Sequence, residues 1–218
     1  MAMTPPSGEP SDRALQPLTA RLLDCGLFTP LVFWATTVMC GLVLGDYNHL
    51  SRMVSELGAS GTPTRFFFTA GLVSCSFLSV LFIIGLSRVC QRMKLNAVPV
   101  WLMLTYSISI AGAGLFPLPL RLHGILGLPS IFLVLSPLTA MLLWPKAQSP
   151  SHLKVAACVA LALMSLGFLA FVPMVLSSFP GLKQRCFHVG WGVWFIYLSL
   201  AFIPTAKGKE REHASIHA

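Results

Sequence analysis

The chain has 218 residues, of which 55% are hydrophobic and only 10% charged, which excludes an ordinary soluble domain. Its formal net charge of +8 does not mark a nucleic-acid binder, because the basic residues sit at the ends of apolar runs and form no contiguous polar surface. What remains is an all-α integral membrane protein whose natural partner is membrane lipid.

Residues 1–24 are polar and Pro-rich, without the short apolar core and small-residue cleavage site of a signal peptide. They are expected to stay on the cytoplasmic side, ahead of a membrane domain at 25–205 and a charged, disordered cytoplasmic tail at 206–218. Apolar runs of about 20 residues, the length that a hydrocarbon core of about 30 Å demands, then predict six spans. They lie near 26–45, 66–87, 97–116, 124–144, 155–177 and 189–204.

The first span ends in Gly41 and Gly45, a GxxxG spacing that lets a neighbouring helix approach closely. The stretch that follows, DYNHLSRMVSELGASGTPTR at 46–65, separates two long apolar segments. On a helical wheel Leu50, Met53, Val54 and Leu57 fall on one side and Asn48, His49, Ser51, Arg52, Ser55 and Glu56 on the other. A short amphipathic helix on the outer membrane surface is expected, with Gly58 as its C-cap and Gly61 and Pro63 in a turn.

The second span leads into the basic connector RVCQRMKLNA. In the third, Tyr106, Ser107 and Ser109 are groups that bond neighbouring helices. Pro129 and Pro137 each remove a backbone donor from the fourth and predict kinks. Pro173 closes the fifth, and Trp191 and Trp194 mark the interfacial end of the sixth. The basic residues, Arg88, Arg92 and Lys94 among them, concentrate on the ends that this layout puts in the cytoplasm. That bias orients the protein in the plasma (inner) membrane with both termini inside. Of six cysteines, Cys40, Cys75 and Cys158 lie in spans, Cys25 and Cys90 at cytoplasmic ends and only Cys186 outside, so no disulfide framework or metal-type pairing is implied.

Each predicted outer loop carries a histidine near a helix boundary, His49, His123 and His188, and each carries arginine. The second and third share a pattern in which Phe-Pro closes one helix and Arg and His open the next. Helix starts present free N–H groups and a positive dipole end, which suit an anion and disfavour a protonated imidazole. Two functional readings follow. In one, His49, Arg52, Ser55, Glu56, Arg65, Arg121, His123, Arg185 and His188 form a binding site for an anionic lipid head group or similar small anion. In the other, the three histidines gather zinc with Asp46 or Glu56 as base, giving a membrane hydrolase that acts on lipid. Among the three outer-loop histidines there is no HxxxH or HExxH spacing, so neither a metal nor a cofactor is expected. A third reading makes the same side chains structural or partner-binding groups that reach toward lipid phosphates.

The run YNHLSRMVSELG followed by TPTR, with FP ahead of RLHG and the late QRCFHVGW, resembles a bacterial family of six-span membrane proteins, domain of unknown function nine-nine-eight. More distantly, the loop after the first span looks like that of the Frag1, DRAM and Sfk1 group of eukaryotic membrane proteins. The resemblance implies a six-helix bundle and lipid-related work. It transfers no functional residue, since Ser55, Glu56, Leu57 and Gly58 mark membership rather than an active site.

Overall fold

The computed structural model describes residues 10–172 and 174–207, among which there is no strand. Six helices are long and apolar enough to cross a membrane: α1 (Pro10–Leu44), α2 (Arg65–Met93), α3 (Val98–Leu115), α4 (Arg121–Leu143), α5 (Leu153–Phe171) and α6 (Pro180–Ala206). Each packs on the next, and α6 returns to α1, so the helices close into a ring. The connections at 45–64, 116–120 and 172–179 gather at one end, called here the loop end.

Side chains that face lipid are as apolar as those inside, so Leu42 and Leu142 are 70% and 73% exposed without strain. What sets the helices in register is aromatic packing and a few polar bridges. Phe82, Trp191, Trp194, Phe195 and Phe202 are fully buried at the centre. The Oγ atoms of Ser79 and Ser107 lie 2.8 Å apart between α2 and α3. Ser136 donates to the Pro99 carbonyl at 2.7 Å and accepts from Trp194 Nε1 at 2.9 Å, joining α3, α4 and α6. Lacking water, such groups must find partners within the protein, although each bridge adds only about 0.6 kcal/mol on average.

Two spans are interrupted. α3 breaks at Met103, between Val98–Leu102 and Leu104–Leu115. In α4 a 3-10 stretch, Leu128–Val134, separates Arg121–Gly127 from Leu135–Leu143. Pro129 sits in that stretch and supplies no N–H to an α-helical ladder, which accounts for the break expected there.

Several sequence expectations need correction, among them the interfacial placement of Trp191 and Trp194, which are fully buried well inside α6. The 46–65 stretch is not an amphipathic helix; its only helical part is a five-residue 3-10 turn, Val54–Gly58. Asn48 Oδ1 accepts from the backbone N–H groups of Leu50 and Ser51, a local bond that competes with helix. The Arg52 carbonyl, which a helix would offer to residue 56, accepts instead from Tyr47 and Arg185. Val54 and Leu57 are buried under this cap while Leu50 is 48% exposed, so the wheel does not describe one wetted and one greasy face.

A further correction concerns α6, which starts at Pro180 and not near 189. His188 therefore lies roughly 12 Å along a spanning helix, at 1.5 Å per residue, and not in a loop. Another concerns Gly41, whose open face receives the His49 ring of the loop cap in place of a neighbouring helix. Helix α1 also runs back to Pro10, through part of the polar leader, while the charged tail from residue 208 lies outside the described residues.

Candidate functional site

Tyr47 follows Gly45, whose φ of +71° turns the chain back over the bundle. Its hydroxyl donates toward the carbonyls of Met53 and Arg52, at 2.7 and 3.1 Å. Arg185, one and a half turns into α6 and 8% exposed, meets this loop from below. Its Nη2 donates to Tyr47 Oη at 3.0 Å and to His49 Nδ1 at 2.9 Å; its Nη1 donates to the carbonyls of Arg52 at 3.0 Å and Gly181 at 3.1 Å. Four terminal N–H groups thus have four acceptors. None of the acceptors is a carboxylate.

The neighbouring bonds extend this clamp. Gln184 Oε1 accepts from the Val54 N–H at 2.7 Å, and Leu50 accepts from the Leu182 N–H at 2.9 Å. Gly181 permits the approach, since a Cβ there would collide with the carbonyls of Arg52 and His49. Glu56 accepts from Arg52 Nε at 2.9 Å and from the Met53 N–H at 2.8 Å, and Asp46 lies 3.7 Å from Arg52. Because arginine only donates, His49 Nδ1 must be unprotonated, which places the proton of the neutral ring on Nε2. Burial first, then the Arg185 charge, lowers the His49 pKa from its ordinary value. Burial raises that of Tyr47, opposed by its bond to Arg185.

Below the clamp lies a cavity of about 380 Å³, within the range of roughly 300–1,000 Å³ usual for ligand sites. All six helices and the 3-10 turn contribute to its wall, with Phe33, Phe68, Ile110, Phe168, Phe171 and Phe187 giving it an apolar character. No Asp, Glu, Lys or Arg lines it. Its polar groups are Ser55, Tyr106, Ser109, His123, Ser130, Gln184 and His188.

Most of those have protein partners. Ser109 and Ser130 donate to the Gly127 carbonyl, and His123 Nδ1 lies 2.9 Å from the Phe116 carbonyl. Two atoms do not. Tyr106 Oη and His188 Nε2 are shielded from solvent and lack a hydrogen-bond partner. His188 Nδ1 accepts from Trp191 Nε1 at 3.0 Å, which assigns the proton of the neutral ring to the unpartnered Nε2. The two side chains flank one aromatic group, Phe33 packing on His188 and Tyr106 on Trp191, each pair at a centroid distance of 4.5 Å. A buried donor left unbonded costs about 1–3 kcal/mol, so each would gain from an acceptor that the chain itself does not supply.

The residues proposed from the sequence therefore divide. His49, Arg52, Glu56 and Arg185 come together, but in a self-satisfied clamp. Ser55, His123 and His188 line the cavity beneath it. Arg65 lies over the Phe66 ring, 5.5 Å from its centroid, and Arg121 is exposed; neither shares a hydrogen bond or ion pair with the clamp. The three arginines do not form a common anion pocket, and among the described residues no group of three His, Cys, Asp or Glu side chains is placed to hold a metal. Sequence reading missed Tyr47 and Gln184 in the clamp and, in the cavity, Phe33 and the orphaned hydroxyl of Tyr106. The available signals were a tyrosine in mid-span and the i,i+3 spacing of His188 and Trp191.

A family model described as Protein of unknown function (DUF998) matches residues 27–201. The chain belongs to that family. The match covers all six spans at least in part, and the residues of the clamp and the cavity lie within it. No curated protein and no solved structure matches the chain.

Proposed function

We propose that this DUF998 protein binds a neutral membrane lipid in the cavity under the loop clamp, with Tyr106 Oη and His188 Nε2 donating to a carbonyl or hydroxyl oxygen of the lipid. The observation that carries the reading is the pair of shielded, unpartnered donors in a chamber whose wall is mostly apolar and uncharged. An anionic head group fits less well there, because the terminal N–H groups of Arg185 are already bonded and no cation lines the wall.

Entry from the bilayer fits the wall between α4 and α5. The outer half of α4 packs chiefly on α3, and Phe171, which lines the cavity, is 64% exposed. Lipid can enter sideways without unlocking the clamp. On the bias of basic residues the loop end faces the outer side of the plasma membrane, which makes the outer leaflet the source of the lipid.

Native mass spectrometry of protein extracted in mild detergent tests the reading. A neutral lipid such as a diacylglycerol is expected to remain bound in preference to phospholipid. Gly127 lines the cavity, and a Cβ there meets nothing within 4 Å. Gly127→Leu should therefore fold and lose the adduct. Equal retention by Gly127→Leu and Ala170→Leu would place the lipid elsewhere.

A further inference from the structure

A second recess lies at the opposite end of the bundle. Along α2, Val80, Ile83, Ile84, Ser87, Arg88 and Gln91 recur at the three- and four-residue spacing of one helix face, and Trp101 and Leu104 of α3 complete a groove of about 330 Å³. Arg88 stands roughly 34 Å along α2 from Arg65, at 1.5 Å per residue. That puts it near the far membrane surface. Ile84 and Trp101, 41% and 56% exposed, face outward, so the groove opens toward lipid.

Two residues that line this groove each carry a shielded, unpartnered polar atom, Arg88 Nη1 and Ser87 Oγ. A guanidinium stays charged at any physiological pH and is rarely left without an acceptor where water is scarce. No acidic side chain lines the groove. The chemistry missing is an anionic oxygen that comes with an apolar body.

We infer that the groove between α2 and α3 seats an anionic glycerophospholipid, its phosphodiester accepting from Arg88 Nη1 and Ser87 Oγ and its acyl chains lying along Val80, Ile83 and Ile84. Anionic lipid is favoured over zwitterionic because the amine of the latter would find no carboxylate in the groove. Gln91, exposed and one turn beyond Ser87, is placed to contact the glycerol of the head group. This site is separate from the neutral-lipid cavity and either can fail without the other.

Trp101 in the groove reports occupancy. Reconstituted protein in phosphatidylcholine vesicles is titrated with phosphatidylglycerol carrying brominated chains, and the Trp101 contribution is isolated by subtracting the Trp101→Phe variant. Trp101 quenching should favour brominated phosphatidylglycerol over brominated phosphatidylcholine by about fivefold in local enrichment. Arg88→Gln should abolish the preference and Arg92→Gln, which removes a charge at the same end outside the groove, should keep it. No preference in the wild type, or equal loss in both variants, would overturn the site. Should Arg88→Gln not fold, Arg88→Lys takes its place: a preference weaker than in Arg92→Gln supports the site and equal values overturn it.

Discussion

Arg185 and His49, 136 residues apart in the chain, are joined by a 2.9 Å bond from Nη2 to Nδ1. That bond ties the start of α6 to the loop that follows α1, and the rest of the clamp is arranged around it. The arginine carries no carboxylate partner, so its role is to hold a loop by its carbonyls and neutral side chains. The cavity keeps its shape because its roof, Met53, Val54 and Ser55, is fixed in this way.

Removing the fork should loosen the roof. Arg185→Gln is expected to destabilise the protein by about 2–3 kcal/mol, the scale of bonds to a charged donor lost together with the burial of their acceptors. Arg185→Lys should recover only part of this, because an ammonium cannot reproduce the planar fork. Unfolding in detergent gives the magnitude, and amide exchange over 47–58 should accelerate more than exchange in α2.

Gly181→Ala separates packing from propensity. Alanine favours helix over glycine by about 1 kcal/mol, so a surface position would gain stability. Here the new Cβ meets the carbonyls of Arg52 and His49, and a net loss of about 1–3 kcal/mol is expected. A raised melting temperature would show that the loop does not lie on α6 this closely.

Acidification should weaken the clamp. The folded protein holds His49 below its ordinary pKa of 6.5, so the unfolded chain binds the proton more readily and stability falls as pH drops below about 6.5. Above that value the contribution is flat. His49→Asn keeps an acceptor for Arg185 without titrating, so its melting temperature should change less than the wild type's between pH 7 and pH 5.

Tyr106→Phe should raise lipid-free stability, by up to about 1–3 kcal/mol, since it removes a buried hydroxyl that has no protein partner. The same change should reduce retention of neutral lipid. Thermal unfolding with and without added diacylglycerol reads both effects at once, the stabilisation by lipid shrinking in the variant.

The number and order of the spans were legible, because hydrophobic length is imposed by the bilayer and is indifferent to tertiary detail. The start of α6 was not. Lys183 and Arg185 make GLKQRC look like loop, yet both are buried and bonded, Lys183 Nζ donating to the carbonyls of Val172 and Val175 at 3.2 and 2.8 Å. Their partners lie in other connections, which a local reading does not see. The polar stretch after α1 misled for the same reason: Tyr47 and Asn48 redirect its backbone bonds, and a wheel counts only side-chain polarity. Convergence of His49 with Arg185 was foreseeable from the clustering of His and Arg at one end, whereas the cavity is walled by residues of all six helices, which no local pattern groups together.

Photo-crosslinking with a diazirine-bearing diacylglycerol tests the cavity most directly. Adducts on Tyr106, His123 or Phe187, reduced in Gly127→Leu, are the predicted outcome. Adducts confined to outward side chains such as Leu142 and Leu200, with none on the cavity wall, would contradict it.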